Sequence, residues 1–385
     1  MKRKFVLAVM IAFLSGFVFV FPASAEEIRL GVLLPLTGKL GLIGELERKA
    51  MELAVEQLNA SQGVKRYHKI IILFEDSMGE PRRAEVAMER LIDKGVAAVI
   101  GGCSSSATFS AALVAEQRGI PFLITTASAD RITEADREYV FRLCLPSSEQ
   151  MEPIAALLRR QKGLWRAAIL RERSRFGEYQ TKKILRICRK AKILVTDIIS
   201  YTSSEEADEA LYFPRLQEIY PDLLFVFSND QEATRILALC EVMEPAPKLI
   251  IAKGKPFLNP LTFLEAQVSR MNIYTTSLWH PSVAYPGVAE FVRAFSEKYK
   301  IKPDYHAAQA YAAVQVMGDA ITRAHSSEPA DIRGALEQTE MITVYGPVSF
   351  KAYGNKCRQN RPLPLLLEWN GTQLRPVRCF SLTAL

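Results

Sequence analysis

Residues 99–129 read VIGGCSSSATFSAALVAEQRGIPFLITTASA, and their order decides the fold class. Val96–Ile100 is a short apolar run closed by Gly101 and Gly102, which suits a strand buried on both faces of a parallel sheet. Ser104, Ser105 and Ser106 fall where a helix should start. Apolar residues from Ala107 to Val114 recur at helical spacing, and Gly119 is placed to end the helix. Ile120–Thr126 (IPFLITT) reads as the next strand. The stretch is therefore a βαβ unit. In open parallel sheets ligands sit beyond the carboxyl ends of the strands, where a helix N-terminus offers free N–H groups and the positive end of its dipole to an anion. Ser104 and Ser105 are the first candidates to hold a carboxylate. A serine before a helix is also its ordinary cap, worth about 1 kcal/mol, and the residues alone allow either reading.

Upstream, Lys2, Arg3 and Lys4 precede an apolar run from Phe5 to Phe21 and the small residues Ala23, Ser24 and Ala25. The pattern predicts a secretory signal peptide over residues 1–25 and an exported mature protein. A retained anchor is the competing reading, since spanning takes about 20 apolar residues. Loss of the three basic residues takes the formal charge from +7 to +4, a mild excess that does not point to nucleic acid. The remaining chain, about 360 residues, exceeds what one core usually holds, so two domains are expected. Cys103, Cys144, Cys188, Cys240, Cys357 and Cys379 all survive cleavage, in a compartment where thiols can pair. Cys144, Cys188 and Cys240 sit in apolar patterns as buried thiols, and Cys357 with Cys379 is the pair that the hairpin between them could bridge. There is no CxxC, and His68, His280, His306 and His325 stand apart, so no metal site is expected.

Strand and helix alternate through the rest of the chain. Ile28–Leu34 is a strand, Glu45–Asn59 an amphipathic helix, Lys69–Glu75 a strand and Pro81–Gly95 a helix with Ala84, Ala87, Leu91 and Ile92 inward. With the βαβ unit these make a doubly wound parallel sheet. Glu138–Leu145 is an extended run leaving it, and Pro146 with SSEQ looks like a crossover. A second alternation follows: strands at 166–171, 193–201, 223–228, 248–253 and 272–278, with helices at 151–163, 177–190, 207–219 and 231–243. Helices at 286–299, 305–324 and 330–338 come next. A closing hairpin, Leu363–Trp369 and Gln373–Phe380, turns on Asn370-Gly371.

By its residues the chain resembles the type I periplasmic binding proteins of the branched-chain amino acid (Leu/Ile/Val) group. The resemblance rests on IRLGVLLPLTG and ELAVEQLNA, FEDSMGEPRRA, the 99–129 stretch, YVFRLCLPSSEQ and YGPVSFKAYGN, in that order. It implies two Rossmann-like lobes joined by three crossovers, with the ligand between them. Lobe one would comprise 28–145 with 282–344, and lobe two 146–281 with 345–385. It implies a solute-binding component of an ABC importer in the periplasm, with an inner-membrane permease as partner and a small molecule as ligand. A sensor or regulator of a cell-envelope enzyme on the same scaffold is the alternative.

Carried over by position, the resemblance implies that Ser104 and Ser105 bind a carboxylate. The second binding turn reads Ala127, Ser128 and Ala129, with Ala129 where a Thr hydroxyl is usual, so Ser128 or a backbone N–H must serve. Phe176 before Gly177 stands where an aromatic lies over the ligand. Asn229 replaces a common Tyr, and Lys253 replaces the acid that commonly holds an α-ammonium. A buried ammonium needs acceptors, because an unpaired charge out of water costs several kcal/mol. Lys253 would repel it, so an acidic ligand without an amine fits better; Asp230 could substitute as the acceptor, or cap the helix that follows. Trp279 and His280 either line the cleft mouth or pack a hinge, and Arg171, Arg173 and Arg175 read as a surface coat. A catalytic serine needs a histidine oriented by an acid, and neither a P-loop nor GxGxxG occurs. Neither an enzyme nor a cofactor is expected.

Overall fold

The computed structural model describes residues 26–61, 68–161, 163, 166–202, 209–229, 232–269 and 271–377. The signal sequence, Asp230 and Cys379 lie outside the described residues, so the pairing of Cys357 with Cys379 does too.

The first layer forms from β1 (Glu26–Leu34), β2 (His68–Asp76), β3 (Ala98–Gly101), β4 (Phe122–Ile124) and β5 (Val140–Arg142), all parallel to their neighbours. Between them run α1 (Gly41–Ala60), α2 (Pro81–Asp93) and α3 (Ser105–Arg118). Side chains alternate across the strands, and both faces are apolar. Ile28, Leu30, Val32, Ile100 and Leu123 join one core with α1, while Leu33, Val99, Phe122 and Ile124 join another with α2 and α3.

The second layer repeats the plan with β6 (Arg166–Glu172), β7 (Leu194–Tyr201), β8 (Leu223–Phe227), β9 (Leu249–Lys253) and β10 (Ile273–Ser277). Its helices are α4 (Glu152–Arg160), α5 (Arg175–Ala191), α6 (Glu209–Ile219), α7 (Glu232–Val242) and the short α8 (Pro260–Glu265). The chain then returns to the first layer with α9 (Val288–Tyr299), α10 (Tyr305–Ala324) and α11 (Pro329–Glu337), which pack on the core that α1 shares. α10 is buried almost along its length because small alanines let it lie against α1 and the sheet.

The end of the chain departs from the expectation. A small pair, β11 (Glu340–Thr343) and β12 (Gly346–Ser349), precedes β13 (Lys351–Tyr353) and β14 (Lys356–Gln359). β14 pairs with β5 through Gln359 and Arg142, so 351–359 belong to the first sheet, whose order is β13-β14-β5-β4-β3-β1-β2. The sequence expectation placed this segment in lobe two. The third passage between layers is therefore at 360–364, before β15 (Leu365–Trp369) and β16 (Leu374–Pro376) close the second sheet in the order β16-β15-β10-β9-β8-β6-β7. The physical reason is the buried Arg142, whose guanidinium donates to Gln359 Oε1 and pulls β14 onto β5.

Candidate functional site

Four loops of the first layer converge at the carboxyl ends of its strands. Asp76, closing β2, accepts from the amides of Leu36 and Met78, both at 2.8 Å, and from the Thr37 hydroxyl at 2.5 Å. Burial works against its charge, but the Thr37 hydroxyl and these amides outweigh it and hold the carboxyl below its usual range. β3 leaves the sheet through Gly101 (φ 128°) and Gly102 (φ 85°), in the region that favours glycine. A Cβ at Gly101 would lie 2.3 Å from the Leu33 carbonyl oxygen, so the turn after β3 needs this glycine.

The serines divide the two roles left open by the sequence. Ser104 occupies the N-cap of α3, yet its hydroxyl makes no capping bond; it donates to the Gly79 carbonyl at 2.9 Å and ties the loop after β2 to the helix. Ser105 Oγ accepts from the Ala129 amide at 3.2 Å, which leaves its proton to donate. The first N–H groups of α3 have no partner within the helix. Ala127 is buried, and its amide donates to the Gly102 carbonyl at 2.9 Å, so it offers neither side chain nor N–H. Ser128 is half-buried, and its carbonyl accepts from the Ser147 amide at 2.7 Å. Arg142 fixes this turn from below, donating from Nη1 to the Ala129 carbonyl at 2.6 Å. Asp130 anchors the first passage: it accepts from the Ser147 hydroxyl at 2.8 Å and meets Lys356 Nζ at 3.3 Å.

Behind the serines lies a buried polar cluster that the sequence reading missed. Glu47 of α1 is fully buried and accepts from Thr125 Oγ1 at 2.9 Å and Thr126 Oγ1 at 2.8 Å. Burial pushes its carboxyl up, against the pull of His306 and the two hydroxyls. Burial also raises the Cys103 thiol, with Glu47 adding to the shift. Cys103 is thus held as the neutral thiol. The available signal is Glu47 between Leu46 and Arg48, a carboxylate on the helix face that carries Ala50, Met51 and Ala54 into the core.

On the second layer, Lys253 closes β9 and is half-buried, with Nζ donating to Thr276 Oγ1 of β10 at 2.8 Å. Burial lowers it to about 8, and Lys183 of α5 pushes in the same direction. Asn229 follows β8; its amide donates to Glu172 Oε2 at 2.7 Å and its Oδ1 accepts from the Lys255 amide at 2.9 Å. The carboxamide oxygen therefore joins the ends of β8 and β9. Phe176 is half-buried in the first turn of α5 and packs on the core of that face. Glu172, absent from the sequence reading, is buried at the end of β6 and accepts from the Ser174 hydroxyl. Trp279 is buried in the first core, where its indole N–H donates to the Val344 carbonyl at 2.8 Å. Arg171 donates to Ser200 Oγ at 3.1 Å, while Arg173 and Arg175 are exposed. Among the described residues no group of three His, Cys, Asp or Glu is placed to hold a metal.

The architecture is that of a two-layered binding protein whose strand ends present small donors on one side and a cation on the other. Residues 27–366 match the family described as periplasmic binding protein, and the chain belongs to it. It is 24% identical over 370 residues to Leu/Ile/Val-binding protein homolog 8 of Brucella melitensis, covering 92% of this chain and 91% of that protein. Among solved structures, the branched-chain amino acid transporter substrate binding protein LivJ of Streptococcus pneumoniae, in complex with isoleucine, superposes with a TM-score of 0.71 at 21% identity, covering 91% and 99% of the two chains. An ABC transporter solute binding protein of R. palustris, in complex with benzoate, gives 0.70 at 20% identity over 91% and 95%. These likenesses place the fold of both layers.

Proposed function

We propose that this chain is the exported solute-binding component of an ABC importer, and that it closes on a small carboxylate-bearing solute between its lobes. The family supports the role in the periplasm. The observation that carries the ligand class is Ser105, whose hydroxyl keeps a free proton at the start of α3 because its oxygen is occupied by the Ala129 amide. The two complexed neighbours differ in their solutes, one an amino acid and one an aromatic acid; a carboxylate is what the two share. Ser105 and Ser128 face the solute from lobe one, with Ser104 and Ala127 holding the turn. Phe176, Asn229 and Lys253 meet it from lobe two. The lobes divide as 28–145 with 282–359, and 146–281 with 365–377, following the sheets.

No helix among the described residues is long and apolar enough to cross a membrane. With the predicted signal peptide removed, the mature chain begins at Glu26, and its partner is an inner-membrane permease. Native mass spectrometry of the protein purified from its own periplasm tests the reading: a co-purified small acid supports it. A mature protein that carries no small molecule and binds none in a calorimetric panel of amino and organic acids, but captures an envelope enzyme, supports the regulatory alternative instead. N-terminal sequencing that finds Met1 on a membrane-bound chain refutes the export of a soluble form.

A further inference from the structure

Among the described residues, two ammonium groups of the second lobe have no carboxylate paired with them. Lys253 is half-buried at the end of β9 and spends one of its donors on the neutral hydroxyl of Thr276. Lys183 of α5 is close enough to repel it, and donates to the Ser147 carbonyl while lying 4.5 Å from the Tyr179 ring centroid. Among the described residues neither lysine forms an ion pair with a carboxylate, although Glu172 stands nearby in sequence and is engaged by Ser174 and Asn229. An uncompensated cation withdrawn from water is costly, and two of one sign concentrate a positive field. An external anion would complete the arrangement at Lys253.

Position says where that anion comes from. Ser147, which receives Lys183, lies on the first passage between layers, and its amide donates to the carbonyl of Ser128 in the lobe-one turn. Lys183 is therefore linked by two hydrogen bonds to the turn that faces the solute. Lys253 is at a strand's carboxyl end, the edge at which parallel sheets receive ligands. Asn229 and Gly254 seal the neighbouring strand ends: Asn229 Oδ1 takes the Lys255 amide, and a Cβ on Gly254 would lie 1.7 Å from the Ser228 carbonyl.

We propose that Lys253 and Lys183 form an anion subsite on lobe two, so that the solute is a small dicarboxylate without an amine. One carboxylate meets Ser105 and the start of α3, and the other meets the lysines. This rests on the solute-binding reading given above and narrows it, because an amino acid would place an ammonium against two cations.

The test is calorimetry on the mature protein with succinate, glutarate, benzoate and leucine, using wild type, Lys253→Met, Lys253→Arg and Lys183→Met. Methionine retains the lysine stem's apolar volume and removes a cation from a half-buried site, so the fold is expected to persist; circular dichroism checks it. A dicarboxylate is expected to bind wild type most tightly and to lose about 10- to 100-fold in affinity in Lys253→Met, the loss of one charged hydrogen bond. A smaller loss is expected in Lys183→Met, and partial retention in Lys253→Arg. Benzoate, with one carboxylate, should change far less. Leucine binding more tightly than either dicarboxylate, or a dicarboxylate affinity unmoved by Lys253→Met, overturns the inference and leaves the solute-binding role standing. A protein that binds none of the four and releases no small acid in native mass spectrometry overturns both.

Discussion

Ser104 and Ser105 are adjacent serines with opposite uses, because a hydroxyl has one proton and the structure spends only the first. Ser104 gives its proton to Gly79, whereas Ser105 receives one from Ala129 and keeps its own. Ser105→Ala should weaken binding of a carboxylate solute by about 1.5 to 3 kcal/mol with little change in unfolding temperature. Ser104→Ala should cost about 1 kcal/mol of stability by freeing the β2 loop, with a smaller effect on affinity. Calorimetry paired with thermal unfolding separates the two, and the reverse pattern would exchange their roles. Lys253 makes a second prediction at this scale. Its folded value is lowered to about 8 by burial and by Lys183, against about 10.4 in an unfolded chain. Between those values the unfolded chain binds more protons, so the lysine's contribution makes wild-type stability rise with pH across that window. Below about pH 8 the group is charged in both states, and its full penalty is present. Denaturant unfolding from pH 7.5 to 10.5 should show a rise in wild type that Lys253→Met lacks. Parallel curves would place Lys253 in ordinary solvent.

Among the elements, the turn after β3 fixes the site's geometry through backbone alone. Gly101→Ala forces a side chain into both a positive φ of 128° and a 2.3 Å contact with the Leu33 carbonyl, and should cost more than about 3 kcal/mol. Gly371→Ala, also at positive φ but with nothing within 4 Å, should cost about 1 kcal/mol. Comparable denaturation midpoints for the two would mean that the β3 turn relaxes freely. The sequence made such elements legible where the signal is local. IPFLITT, LLFVF and the helical spacing of α3 state their own burial, and the glycines after β3 state the turn. It did not make β13 and β14 legible: KAY and KCRQ are short and polar, and their place in the first sheet follows from Gln359 meeting Arg142 across 217 positions. Candidate residues were found where family position and strand end coincide, as at Lys253 and Ser105. Their partners were not, because Gly79, Thr276, Lys183 and Ser147 become neighbours only after the layers are assembled.

For the whole molecule, the three passages at 143–151, 278–287 and 360–364 decide what motion is available. Glu149 on the first accepts from Tyr353 at 2.9 Å and from Arg361 on the third at 2.9 Å, while Val283 on the second packs against the cores of both layers. Glu149 thus ties the first passage to the third, and rotation about the passages leaves both sheets intact. A solute can shift the balance toward a closed form only by contacting both lobes more favourably there. Ser105 and Lys253 stand on opposite lobes, so each should contribute to that preference. Small-angle scattering during titration with an acid that the protein binds should show the radius of gyration fall in wild type. Ser105→Ala should require more solute to reach the same final compaction, since lobe two still draws the acid across. In Lys253→Met the solute keeps its lobe-one contacts but loses its pull on lobe two. That variant should bind at higher concentration and compact less at saturation. Full compaction of Lys253→Met at saturating solute would show that closure is driven by contacts other than the lysine.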